Sequence, residues 1–259
     1  MKKRILTLLL AIFLLTSALY AEGAPELQLS ATSLKPKVVA STSWTASFAD
    51  LGGVDYVTVI APPSLVHPPE YEITVKDVQN ISKADYFIYA GYERMMKTMG
   101  ESIKGDSVQM IPIKTDTSLA TVKAQAKIIA SVFGTEEESL QRVAHYAETL
   151  ANGKKAVAEA GLQTKKVLCH SMQVYLAEEL GLQIAGTFGP GPITAKQIAD
   201  AAANQYDIII DNIHNPVAAP LVEVSPASRL VVWRNFPESV KRGSLEEMVS
   251  ENLKALLDE

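Results

Sequence analysis

Cysteine is nearly absent: Cys169 stands alone, so no intramolecular disulfide can form and the fold must be held by its core. Basic charge is also in short supply. With 24 Lys and Arg against 29 Asp and Glu, the net charge of −5 gives no positive surface for nucleic acid, so no nucleic-acid partner is expected. Catalytic signatures are missing as well. There is no His-Glu-x-x-His stretch and no nucleophile elbow, and the turn-rich Phe188-Gly189-Pro190-Gly191-Pro192 matches no phosphate-binding pattern, so the chain reads as a non-enzyme. No repeat at a solenoid period is present. Histidine occurs four times only, at His67, His145, His170 and His214, which makes each position informative.

The one long apolar run lies at the start, where Met1-Lys2-Lys3-Arg4 precedes Ile5 to Leu19 and Leu19-Tyr20-Ala21 precedes Glu22. A basic segment, a short apolar stretch and a small residue at the cut form a cleavable signal peptide over 1–21. The run falls short of the roughly 20 apolar residues a spanning helix needs. No cysteine follows it to carry a lipid anchor, so the expectation is a periplasmic protein, free of any anchor. Loss of Lys2, Lys3 and Arg4 takes the net charge from −5 to −8.

Residues 22–36 read as a flexible leader. Beyond them, short β-branched or aromatic runs alternate with helical spacing: Val38 to Ser41, Val57 to Ile60, Tyr86 to Tyr89 and Val108 to Ile111. A helical face of Leu119, Val122, Ala126 and Ile129 then ends at Gly134, a residue suited to the turn past a helix. Thr135-Glu136-Glu137-Glu138 has the spacing of a capping box, and Leu140, Val143, Ala144, Ala147, Leu150 and Ala151 continue a helix over 135–160. At 1.5 Å per residue it would span roughly 39 Å, a strut between two lobes. A second strand set follows at Val167 to Cys169, Gln183 to Thr187, Ile208 to Ile210 and Leu230 to Val232, with a closing helix from Leu245 to Leu257. The expected fold is α/β with two lobes at 37–134 and 165–259, each a mainly parallel sheet with flanking helices, joined by one long rigid helix.

In open parallel sheets, ligands bind beyond the carboxyl ends of the strands. His67, His170 and His214 each follow a predicted strand, whereas His145 lies inside the long helix and is expected on its solvated face. One lobe supplies His67 and the other His170 and His214. A shared cleft would unite three imidazoles around a transition metal, Zn²⁺ first, with Cu²⁺, Ni²⁺, Co²⁺ and Mn²⁺ as alternatives. Glu70 and Asp211 are the candidate carboxylate ligands or orienting groups, with Glu72 beside them. Alternation along the strand sends Cys169 to the core if His170 faces the cleft. Trp44 fits either a cleft wall or the interior.

As a set, these segments resemble the zinc and manganese solute-binding proteins of ABC importers, the ZnuA/TroA-like family. The likeness runs through Val38 to Gly53, Pro62 to Asp77 with Tyr71-Glu72, Ala84-Asp85-Tyr86 to Gly91, His170 with Tyr175-Leu176 and Gly181-Leu182, and Gly243 to Leu257. It implies a monomeric carrier that hands a metal ion to an ABC permease in the inner membrane. The ligand positions depart from the family pattern: Pro69 stands at its first histidine, no histidine lies near Asp116 to Leu119, and Arg234-Asn235 replaces its last aspartate. Two readings stay open. Either the site is rebuilt around His67 and His214, or the metal site is lost and Trp44, Tyr92 and Arg234 line a cleft for a non-metal or chelated organic solute.

Overall fold

The structure is a computed structural model, and it describes residues 35–99 and 107–258. The signal peptide and nearly all of the leader expected from the sequence lie outside the described residues. None of the described helices is long and apolar enough to cross a membrane.

The first sheet contains β1 (Val38–Ala40), β2 (Val57–Val59), β3 (Tyr86–Tyr89) and β4 (Gln109–Pro112), all parallel, in the order β2-β1-β3-β4. Helices α1 (Ser43–Leu51), α2 (Val75–Ser82) and α3 (Arg94–Met99) connect them, and α4 (Leu119–Phe133) follows. The second sheet contains β5 (Lys166–His170), β6 (Gln183–Phe188), β7 (Ile208–Asn212) and β8 (Arg229–Trp233), parallel and in the matching order β6-β5-β7-β8. Its helices are α6 (Val174–Glu179), α7 (Ala195–Asn204), α8 (Ala219–Val224) and the closing α9 (Ser244–Leu257). Between the sheets runs α5 (Glu136–Glu159), 24 residues and so about 36 Å long. Two α/β lobes and a long connecting helix are thus present, as expected.

Strand alternation decides which core each side chain joins. Val38 and Ile88 pack inward while their neighbours Val39 and Phe87 face an outer cluster with Ile60, Ile81 and Met95. In the second sheet Val167, Cys169, Ile208 and Ile210 pack inward, and Leu168 and Ile209 face outward onto Phe188, Tyr206 and Leu221. The two inward faces belong to one continuous core that passes through Val143, Tyr146, Leu150 and Val157 of α5. Such a core resists independent movement of its layers, because close-packed interiors have no slack to absorb sliding.

Two details of α5 differ from the sequence expectation. Thr135 makes no side-chain cap; its hydroxyl donates instead to the Gly52 carbonyl at 2.6 Å, tying the helix start to the end of α1. The buried stripe is Ser139, Val143, Tyr146, Leu150, Gly153 and Val157, while Leu140 is 74% exposed and Ala144 and Ala151 face outward. The true face is rotated by about one residue, because Tyr146 claims a core place and anchors its hydroxyl on the Thr117 carbonyl at 2.6 Å. Gly134 does close α4, with φ of 68° and its N–H on the Ala130 carbonyl. His145 is exposed, as expected.

Away from the strand ends, an ion network fastens the lobes to α5. Arg142 donates to Asp50 Oδ1 at 2.8 Å and to Asp55 Oδ1 at 2.7 Å, Arg242 reaches the same Asp55 oxygen at 2.6 Å, and the Gly243 N–H bonds Asp50 Oδ2 at 2.9 Å. Burial raises the Asp50 pKa despite Gly243 and the two arginines. The Arg142 bond and then the Arg242 bond hold the exposed Asp55 below the usual carboxylate value.

Candidate functional site

Eight loops, one after each strand, converge on a cleft of about 530 Å³. The first lobe contributes Trp44 after β1, His67, Pro69 and Glu70 after β2, Tyr92 after β3, and Thr115 and Asp116 after β4. The second contributes Ser171, Met172 and Tyr175 after β5, Pro190 after β6, His214 and Asn215 after β7, and Asn235 and Phe236 after β8. Parallel strands place all their carboxyl ends on one side, so the convergence follows from topology. The volume is that of a small-molecule site and far exceeds the roughly 30 Å³ share of one water.

Local chemistry fixes the loops. In the loop after β2, Pro68–Glu70 forms a single 3-10 turn, with His67 at its start. Tyr71 donates to Asp77 Oδ2 at 3.0 Å, and the same oxygen accepts the Thr74 N–H at 2.8 Å and so caps α2. The loop after β3 is braced by Glu93, a fully buried carboxylate that accepts the Ala90 and Gly91 N–H groups and the Ser41 hydroxyl. Tyr92 is thereby held beside Thr115, its hydroxyl 3.1 Å from Thr115 Oγ1. Burial raises the Tyr92 pKa, so the phenol stays neutral.

His214 holds a special place. Its Nδ1 lies 2.8 Å from the Val66 carbonyl, which can only accept, so Nδ1 carries the proton and the neutral ring leaves a lone pair on Nε2. That Nε2 is buried and makes no hydrogen bond. Burial pushes the His214 pKa down against the pull of Val66, and Arg234 and His67 add to the lowering. The ring sits edge-on to Phe236 at a centroid distance of 5.2 Å, and Trp44 meets Phe236 from the other lobe at the same distance. Trp44 therefore fills both roles left open by the sequence: it is 6% exposed, belongs to the core, and lines the cleft. Trp44 Nε1 and Asn235 Oδ1 are also buried without partners.

His170 and Asp211 are placed otherwise than expected. The His170 ring is wholly buried: Nδ1 accepts the Met172 N–H at 3.1 Å, so Nε2 carries the proton and donates to Asn215 Oδ1 at 2.9 Å. With Phe188 edge-on at 5.4 Å and Gly189 against the ring, both nitrogens are committed to shaping the loop, and the ring does not line the cleft. Burial lowers its pKa despite Asn215 and Asp211. Asp211 is buried too, its oxygens accepting the Asn212, Val217 and Ala218 N–H groups that organise the loop after β7. Cys169 is in the core, as expected, and burial raises its pKa.

Of the five ligand candidates, the structure thus brings His67, Glu70 and His214 to one cleft and turns His170 and Asp211 into its framework. Among the described residues, no three His, Cys, Asp or Glu side chains lie close enough to share one ion. Asn215, Asn235, Phe236 and Met172 were not anticipated as lining residues, and Arg234 does not line the cleft; it pairs with Glu238 and Glu251. A larger cavity of about 650 Å³ lies at the opposite ends of the second-sheet strands. Its charges are taken up: Lys165 by Asp207, and Arg229 by the Leu256 and Asp258 carbonyls.

Two lobes of parallel sheet that face one cleft define a two-lobed α/β fold. Within that class the chain is similar to the SBP FpvC of Pseudomonas aeruginosa, solved with Ni²⁺, at 16% identity over 86% of this chain and 96% of that one, TM-score 0.69. It is also similar to the laminin-binding protein Lmb of Streptococcus agalactiae, described as having adhesin and metal-transporting activity, at 16% identity over 86% and 98%, TM-score 0.65. A Mn-bound periplasmic metal-binding protein of Candidatus Liberibacter asiaticus shares 15% identity over 86% and 99%, TM-score 0.63. At these identities the likeness is one of fold. No family model and no curated protein matches the sequence.

Proposed function

We propose that this chain is a periplasmic solute-binding protein that captures a divalent transition metal, held by a small organic chelator, and passes it to an ABC permease in the inner membrane. In this reading the lobes run over 37–134 and 165–259, with the helix at 135–160 between them. The observation that carries the reading is that His214, whose buried Nε2 makes no hydrogen bond, lines one cleft together with His67 and Glu70. Imidazole and carboxylate suit Zn²⁺, and also Ni²⁺, Co²⁺, Cu²⁺ and Mn²⁺. The cleft is too roomy for a bare ion and offers too few clustered donors to complete its shell. A chelator supplies both the missing ligands and the missing bulk. Proteins of similar fold that hold Ni²⁺ and Mn²⁺ support the metal as cargo.

A ligand that binds only the folded state raises thermal stability. Melting temperature is to be measured for stripped protein with each metal alone and with each metal plus a nitrogen chelator, alongside elemental analysis of the protein as purified. A rise with at least one metal form, lost in His214→Ala, is expected. No rise in any form and no metal in the purified protein would end the proposal. The aromatic wall of Trp44, Tyr92, Tyr175 and Phe236 favours one other reading, a metal-free organic solute, which native mass spectrometry would reveal as a co-purified compound.

A further inference from the structure

Resting on that reading, we infer that the cleft selects a complex of net positive charge, a metal ion carried by an uncharged nitrogen-donor chelator, and rejects complexes of polycarboxylate chelators. Charge around the cleft is one-sided. Glu70 and Asp116 line it, and no lysine or arginine does among the described residues. Arg234, which acts on His214 but does not line the cleft, is paired with Glu238 and Glu251. Asp116 is held in place, since Ser118 and Thr121 donate to both its oxygens. The Glu70 side chain has no partner among the described residues and is free to meet a cation. In a partly enclosed cleft such charges act through less solvent screening than on an open surface, so they discriminate by sign.

The rest of the wall fits the same solute. Tyr92 and Tyr175 are each 47% exposed and Met172 is 41% exposed, an apolar surface left open for a flat, unsaturated chelator. Aromatic faces attract cations and repel anions through their quadrupole. His214 lines the same wall, and its buried Nε2 makes no hydrogen bond that a metal would have to displace.

Isothermal titration at neutral pH with three probes tests this: the 1:1 complex of Ni²⁺ with 2,2′-bipyridine, the 1:1 complex of Ni²⁺ with citrate, and Ni²⁺ alone. The bipyridine complex should bind at least about tenfold more tightly than the citrate complex, a gap of about 1.4 kcal/mol. Glu70→Gln, a change at an exposed side chain that bonds nothing in the fold, should narrow that gap several-fold and leave the melting temperature unaltered. Citrate binding as tight as bipyridine binding, or a gap untouched by Glu70→Gln, overturns the charge selection while leaving metal capture intact. Absence of binding by all three probes overturns metal capture, and this inference with it.

Discussion

His214 and Val66 meet across the cleft: the imidazole of one lobe donates from Nδ1 to the main-chain carbonyl of the other at 2.8 Å, over a separation of 148 residues. The bond closes one side of the cleft and, by occupying Nδ1, dictates that the free lone pair is on Nε2. His214→Ala removes both effects. Ligand-free stability should fall by about 1 kcal/mol, the net worth of one hydrogen bond with part of a ring contact. The metal-induced rise in melting temperature should disappear. A variant that loses stability yet keeps the full rise would show that Nε2 does not touch the metal.

His170 gives the fold a pH dependence. Its folded pKa is lowered by burial, so the neutral ring favours the folded state above the unfolded value of about 6.5, and that contribution is lost as pH falls through this value. His214 adds a change of the same sign. Wild-type melting temperature should therefore drop between about pH 7 and pH 5. His170→Gln keeps an acceptor for the Met172 N–H and a donor for Asn215, and should show a shallower drop over the same range. Parallel pH curves for the two proteins would exclude His170 as a source.

Gly189 touches the same ring. Its φ is 69°, and a Cβ there would stand 2.5 Å from His170 Nε2, displacing the bond to Asn215. Gly189→Ala combines left-handed backbone strain with that clash and should cost about 1–3 kcal/mol in chemical denaturation. A loss under a few tenths would mean that the loop after β6 re-forms without cost.

At the far side, Arg142 is the hub of the Asp50 and Asp55 network. Arg142→Leu leaves Asp50 buried beside the Gly243 N–H with no near cation but Arg242, and should destabilise the protein by about 3 kcal/mol at neutral pH. The loss should be smaller at about pH 4 than at neutral pH, because an Asp50 of raised pKa takes up a proton more readily on acidification and then needs no counter-charge. Denaturant midpoints at the two pH values test this, and an equal loss at both would place the effect in packing instead of charge.

The sheets were legible because short, continuous apolar runs leave a local mark. Ile208-Ile209-Ile210 and Val38-Val39 are apolar on both faces, as strands covered on both sides must be, and every strand was located to within a residue or two. The N-terminus of α5 was not legible: Thr135 carries the local pattern of a cap, but its hydroxyl is claimed by Gly52, 83 residues away. The cleft was half legible for the same reason. Position after a strand pointed to His67 and His214, which line the cleft, yet it could not show that the Met172 N–H and Asn215 would use up both nitrogens of His170. Asn235 and Phe236 carried no signal beyond following a strand, and their roles emerge only where the lobes meet.

Because each of the eight strand-end loops hands the cleft only one to three side chains, specificity here is modular. A side chain such as Pro69 or Asn235 lines the cleft from its own loop, above sheets whose hydrogen bonds it does not share. The scaffold is therefore open to retuning by changing one loop at a time.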